Sequence, residues 1–250
     1  MQVTIYRLLL LVAILGAWEW AVVSNPKNAF WVSSPSLIAA RTQTWLMDGS
    51  LLRHTWVTLY EALSGLAAGT LIGVFFGLML GVSRTLGRTL EPFIMAINAL
   101  PRVALAPLLV MYVGIGFASK FLLALSLVVV VLMVNTYEGV KSVDANHVNA
   151  LRILGASRLQ IFVKLLIPNS VPWILAGLRV GVSFAIVGAI VGEFISAQAG
   201  IGYMINTASG SYDTTGMMVP LFTLMICAVC LDLLIKMLTR RLTVWRPQSA

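Results

Sequence analysis

The sequence predicts an all-α, polytopic transmembrane helical bundle of about six spans. Two observations lead there. Of 250 residues, 59% are hydrophobic and only 10% charged, whereas charged residues make up about a quarter of a globular chain; the mean hydropathy is +0.94. The apolar excess is also gathered into stretches near the length of about 20 residues that a helix needs to cross the hydrocarbon core. These are residues 5–23, 59–82, 92–113, 121–137, 171–196 and 217–238. The basic residues punctuate the runs instead of gathering on one segment. The formal net charge of +8 therefore speaks for membrane topology and against a nucleic-acid partner.

The first run follows Arg7 and continues past Glu19 to Val23 without a small-x-small cleavage site, so it is expected to stay as a span and not to be removed as a secretory signal. After Pro26, residues 34–53 carry Leu37, Ile38, Trp45 and Leu46 among polar residues, the pattern of an amphipathic helix lying at the outer membrane interface. In the second span Gly65, Gly69, Gly73, Gly77 and Gly81 form a bare stripe that lets another helix backbone approach closely. Gly177 with Gly181 and Gly188 with Gly192 repeat the device on the fifth span. Packing within the subunit and a seam between two copies both remain open for these stripes. The third span contains Pro101 and Pro107, and the fourth is short. The last span holds Cys227 and Cys230, whose C-x-x-C spacing reads as small packing positions on a helix, without the His or acidic neighbours of a metal or redox pair.

Orientation follows from the basic residues. With the N-terminus inside, the cytoplasmic segments hold Arg7, Arg84, Arg88, Lys141, Arg152, Arg158, Lys164, Arg240, Arg241 and Arg246, and the outer ones Lys27, Arg41, Arg53 and Lys120. Ten against four places both termini in the cytoplasm.

The cytoplasmic segment, residues 138–168, has the most local structure. Val148, Leu151 and Leu154 recur at helical spacing until Gly155, which reads as a C-cap. Ser157 and Gln160 then form the S-x-x-Q pattern of a capping box that opens a second helix, running through Phe162 and Leu166 and expected to stop near Pro168. The result is a helix–turn–helix elbow; an ordinary surface loop is the plainer alternative.

The run Asn149-Ala150-Leu151-Arg152-Ile153-Leu154-Gly155-Ala156-Ser157, followed by Leu165-Leu166-Ile167-Pro168, resembles the EAA signature of binding-protein-dependent ABC importer permeases. In that family the pattern is E-A-A, three residues, G, nine residues, I-x-L-P. The departures are Asn149 for Glu, Leu151 for the second Ala, Leu165 for Ile and Ile167 for Leu. Trp18-Glu19, Ser34-Pro35-Ser36, Pro101 through Pro107, Gly114-Ile115-Gly116 with Ser119-Lys120, Ala176-Gly177-Leu178-Arg179, and Gly192-Glu193 with Gly200-Ile201-Gly202-Tyr203 look like the nitrate/sulfonate/taurine/bicarbonate branch. Where that branch often has Arg in the second span, this chain has Glu61.

The resemblance implies a type I importer permease in the bacterial inner membrane, a single permease domain over residues 1–250 whose elbow is a coupling helix. Asn149, Ala150, Arg152, Gly155, Ala156 and Ser157 would dock on an ATPase. The implied partners are a second copy of the chain, two cytoplasmic ATP-binding subunits and an extracytoplasmic solute-binding protein. The residues agree at one independent point. No G-x-x-x-x-G-K-[ST] loop occurs, and the nearest run, from Gly114 to Lys120, has Ser119 where the second Gly belongs. An ATP site would have to lie on another chain.

Four ionisable residues at membrane depth are candidates for the translocation path or its gate: Glu61, Arg102, Arg179 and Glu193. Internal ion pairing or snorkelling is the plainer account of each. Asn98 and Asn135 are weaker candidates, more often found bridging helices. An ion-driven secondary transporter is the alternative reading, though internal repeats are lacking and such a protein needs no elbow of this kind. With His54 and His147 the only histidines, and neither in a predicted span, no metal site, cofactor or catalytic centre is expected.

Overall fold

The computed structural model describes residues 2–25 and 27–242; Pro26 and Arg246, used above, lie outside the described residues. The elements in order are α1 (Gln2–Val23), α2 (Asn28–Val32), α3 (Pro35–Met47), α4 (Ser50–Val82), α5 (Arg84–Ala99), a 3-10 turn (Arg102–Leu105), α6 (Ala106–Val113), α7 (Phe117–Lys141), α8 (Ala145–Ile153), α9 (Arg158–Ile161), a π-helical turn (Phe162–Leu166), α10 (Ile167–Ser196), α11 (Ile201–Gly210) and α12 (Thr214–Leu242). Five spans are continuous: α1, α4, α7, α10 with the turns before it, and α12. A sixth is broken.

The break is the predicted span 92–113. α5 and its continuation from Arg102 through α6 meet at 73°. Leu100 precedes Pro101, whose ring pushes it out of the helical region to φ −65°, ψ 128°. Pro107 does no such damage, because it sits in the first turn of α6, where no intrahelical N–H is required.

α7 lies between α4 and α10, and glycines on both neighbours face it. A Cβ added to Gly73 would fall 2.6 Å from the Val129 carbonyl oxygen, and one on Gly77 would fall 2.6 Å from that of Met133. On the other side Gly188 lies over the Ala124 backbone, where an added Cβ would be 2.6 Å from its Cα, and Gly192 lies over Lys120. Ala124, wholly buried, is clasped between Gly65 and Gly188. The glycine stripes thus serve packing within the chain, where close backbones gain dispersion contacts that lipid does not supply.

Four expectations are corrected. The helix expected over residues 34–53 ends at Met47, not Arg53; Gly49 turns the chain at φ +75° and Ser50 to Arg53 open α4. α4 therefore begins well before residue 59, and His54, placed outside any span, lies within it. Lys120, counted as an outer loop charge, is buried in α7. Pro168 does not stop the elbow's second helix. α9 passes through one π turn into α10, with Pro168 in the first α-helical turn. The wide turn removes the tight contact between a Pro ring and the carbonyl four residues earlier, so the chain continues.

Away from the elbow the bundle has a second core, in which Ile38 of α3 and Leu51 of α4 pack with Ile201, Met204 and Ile205 of α11 and Val219 of α12. Two sequence motifs meet there. The Glu19 carboxylate accepts from the Ser36 backbone N–H at 3.0 Å and from its hydroxyl at 2.6 Å, and the Trp18 indole donates to the Ser33 carbonyl at 3.2 Å. The first span thereby fixes the start of α3, whose cap is the Ser34 hydroxyl accepting from the Leu37 N–H.

Candidate functional site

The elbow is built as its local sequence dictates. Asp144 caps α8 by accepting from the Asn146 N–H at 2.8 Å. α8 ends in a Schellman arrangement: Ala156 N–H donates to the Leu151 carbonyl at 2.9 Å and Gly155 N–H to the Arg152 carbonyl at 3.0 Å, with Gly155 at φ +80°. The capping box is complete, with Gln160 N–H donating to the Ser157 hydroxyl at 3.2 Å and Ser157 N–H to the Gln160 side-chain oxygen at 2.8 Å. Asn169 ties the elbow's two ends together by donating to the Gly139 carbonyl and the Ser142 hydroxyl, both at 3.0 Å.

Of the docking candidates, Asn149, Ala150, Arg152, Gly155 and Ser157 are exposed and Ala156 is half-buried. Of the helical stripe, Val148 and Leu151 are half-buried, whereas Leu154 is 81% exposed beside Ile153 at 87%. Leu159 completes the bare apolar tip.

At the far end of α7 and α10, two of the four membrane-depth candidates come together. Lys120 Nζ lies 3.2 Å from Glu61 Oε1, with both side chains buried, and Lys120 packs against Gly192, the residue before Glu193. Glu193 is 1% exposed. Its Oε1 accepts from the Thr58 hydroxyl at 2.6 Å and its Oε2 from the Gly202 N–H at 2.5 Å. Thr58 in turn accepts from the Ile201 N–H at 2.8 Å, and His54 Nδ1 accepts from the Gly200 N–H at 2.9 Å. The turn into α11 thus presents its free N–H groups to His54, Thr58 and Glu193, with the positive helix end toward the carboxylate, the favourable sense. Side chains are barred there: a Cβ on Gly200 would sit 2.1 Å from Glu193 Oε1, and Gly200 is at φ +115°. Such a cluster holds four helices in one arrangement, because its charges lose their compensation if any helix withdraws.

Arg102 stands apart. It is buried at the break after α5, where its guanidinium donates to the carbonyls of Ser126 (2.8 Å), Leu127 (3.4 Å) and Ile97 (3.4 Å) and to Asn98 Oδ1 (3.1 Å). It pins the C-terminal carbonyls of α5 to the middle of α7 and places a cation at the negative end of α5. Arg179 is separate again. It donates from Nε to Asp232 Oδ1 at 3.0 Å, and Lys236 meets the other oxygen of that carboxylate at 2.7 Å. Asn135 bonds to the Val131 carbonyl of its own helix and packs under Gly177. Sequence reasoning missed Lys120, Thr58, His54 and Asp232.

The chain matches the family model "binding-protein-dependent transport system inner membrane component" over residues 69–244. It belongs to that family. Among curated relatives, the permease is 34% identical over 235 residues to the riboflavin transport system permease protein RibX of Chloroflexus aurantiacus, covering 94% of this chain and 88% of the relative. It is 33% identical over 199 residues to the taurine transport system permease protein TauC of Escherichia coli, covering 80% and 72%. In fold it resembles the inward-facing MetNI methionine ABC transporter, with a TM-score of 0.68 at 20% identity over 79% of this chain and 96% of that one. The chain is thus the transmembrane permease subunit of an ATP-driven importer, an inner-membrane protein of a family that works with ATPase subunits and a solute-binding protein.

Proposed function

We propose that residues 1–250 form one permease domain that works as a pair of identical copies. Its elbow seats on one of two cytoplasmic ATP-binding subunits through Asn149, Ala150, Arg152, Gly155, Ala156 and Ser157, and ATP is hydrolysed on those partners. Both termini face the cytoplasm, the far end faces the solute-binding protein, and α3 lies at the outer membrane interface. The Glu61–Lys120–Glu193 cluster holds the outer part of the path in one of its states; Arg102 and Arg179 act on the path by holding the broken span and α12. The relatives named for riboflavin and taurine transport support a small organic solute.

The observation that carries this reading is the elbow itself. A left-handed glycine stop and a complete capping box rigidly present Ile153, Leu154 and Leu159 to solvent. An apolar tip of that kind is what a protein cleft covers. The experiment is site-directed labelling of a single cysteine at position 152, with Cys227 and Cys230 removed, in right-side-out and inverted vesicles. Modification only in inverted vesicles, blocked by the assembled ATPase, is expected. Modification in right-side-out vesicles, or no protection by the ATPase, would reject the docking.

A further inference from the structure

A cavity of about 700 Å³ opens between the elbow and the ends of α4, α5 and α7. Its lining is of two kinds. Apolar residues are Leu80 and Val82 from the end of α4 and Val148, Ile161 and Phe162 from the elbow. Basic residues are Arg88, Arg152, Arg158 and Lys141, against a single carboxylate, Glu91. That carboxylate is already engaged. It accepts from the Tyr137 hydroxyl at 3.3 Å and lies 3.5 Å from Lys141, which Glu138 also approaches at 3.7 Å. Among the described residues no carboxylate pairs with Arg88, Arg152 or Arg158. The α5 macrodipole does not account for Arg88, which lies toward the positive N-terminal end of that helix.

We propose that this cavity binds the headgroup of an anionic phospholipid, the phosphodiester resting between Arg88 and Arg158 and the start of the acyl chains meeting the apolar lining. Arg88 and Arg158, which no carboxylate among the described residues neutralises, suit an anion, and planar guanidinium groups match phosphate oxygens in pairs. The cavity also lies where the apolar part of α4 and α7 gives way to the polar elbow, the level at which headgroups sit, and basic pockets between spans at that level suit lipid phosphates. The apolar lining residues Leu80, Val82, Val148, Ile161 and Phe162 favour a lipid over a soluble phosphate ester, which has no use for them. A lipid held here would brace the elbow against α5, so its occupancy would bear on how the elbow moves.

The test is native mass spectrometry of the assembled transporter titrated with dioleoyl phosphatidylglycerol, with dioleoyl phosphatidylcholine and glycerol phosphate as comparisons. It reads retained lipid, so it is independent of whether the elbow docks as proposed. One phosphatidylglycerol per permease chain is expected, retained in preference to phosphatidylcholine. The double variant Arg88→Gln/Arg158→Gln should weaken it roughly thirtyfold, the size expected for two juxtamembrane cations. Arg53→Gln, at the opposite end of α4, should leave it unchanged. Equal retention of the two phospholipids, or undiminished retention in the double variant, would overturn the proposal. So would glycerol phosphate binding as tightly, which would assign the cavity to a soluble ester, or retention by the isolated permease but not the complex, which would mean that a neighbouring subunit fills the space.

Discussion

Replacing Gly73 with alanine adds one carbon at the seam of α4 and α7, and the geometry sets the cost. The new Cβ would lie 2.6 Å from the Val129 carbonyl oxygen and 2.7 Å from Leu132 Cβ. Non-bonded heavy atoms rest near 3.5 Å or more, so the two backbones must part locally by roughly 0.8 Å. Neither contact can be relieved by a rotamer change, because one is main chain and the other is fixed by it. Overpacking of this kind costs about 1–3 kcal/mol. On the opposite face Leu71 is 74% exposed, and Leu71→Ala should stay within about 0.5 kcal/mol. Thermal unfolding of the purified protein separates them. At about 2–4 °C per kcal/mol for a chain of this size, Gly73→Ala should lower the midpoint by several degrees and Leu71→Ala hardly at all; Gly73→Leu should not assemble. Equal midpoints for the two alanine variants would refute the packing argument.

At Gly155 the space is open, with nothing within 4 Å of an added Cβ, but φ is +80°, so Gly155→Val suffers backbone strain of about 1–2 kcal/mol or more without a clash. It should lower solute moved per ATP hydrolysed in proteoliposomes while insertion is unchanged, and Gly155→Asn, which tolerates that φ, should recover most of the coupling. Lys120→Met removes the ion-pair partner of Glu61 and should cost about 3–5 kcal/mol of stability. The paired change Lys120→Met/Glu61→Gln should return much of it, so strictly additive losses in a double-mutant cycle would exclude the ion pair as the cause. Glu193→Gln keeps the shape and exchanges charge-assisted bonds for neutral ones, a loss of about 1–2 kcal/mol. If the cluster forms in one transport state only, basal ATPase activity should shift by roughly 5–30-fold with assembly intact; an unchanged rate in both Glu193→Gln and Glu193→Ala leaves Glu193 a purely structural residue.

What was legible in the sequence was whatever short-range chemistry determines. Gly155, Ser157 and Gln160 act on neighbours within a few residues, and the glycine stop and capping box formed as read. The spans follow from apolar length alone. The failures came where tertiary contacts decide. Lys120 borders an apolar run and so passes for a loop charge, yet the four-residue period held the signal. Glu61 stands one period before Gly65, and Lys120 one period before Ala124, the residue Gly65 touches. Extending both stripes by a turn sets the carboxylate opposite the ammonium, as the 3.2 Å pair shows. Thr58 and His54 gave no such signal, because their partners are backbone N–H groups of a turn 143 to 146 residues away and backbone amides leave no mark on a sequence. Pro168 misled for another reason: a π turn before a proline relieves the clash that normally ends a helix.

The elbow and the buried cluster lie at opposite ends of one helix, and that bears on how a push at one could be felt at the other. From Ile167 to Glu193, α10 rises about 40 Å at 1.5 Å per residue, without a break. Along that length Gly177, Gly181, Gly188 and Gly192 seat it on α7, and the glycines of α4 seat that helix on the other side of α7. Backbones packed this closely cannot slide in small steps, since each Cα ridge would have to climb out of its groove. The three helices should therefore move as a unit. The compliant part is the α5–α6 break, where Arg102 bonds to carbonyls and an amide and to no carboxylate. A force on the elbow would then reach Glu193 undiminished, and the free energy needed to change state would be spent where the charges around Lys120 must part from Thr58 and the turn into α11. On that account Glu193→Gln should ease the transition while Gly155→Val disconnects it, and the double variant should show raised basal ATPase activity with transport still lost. Restored transport in the double variant would mean that force reaches the cluster by a route other than α10.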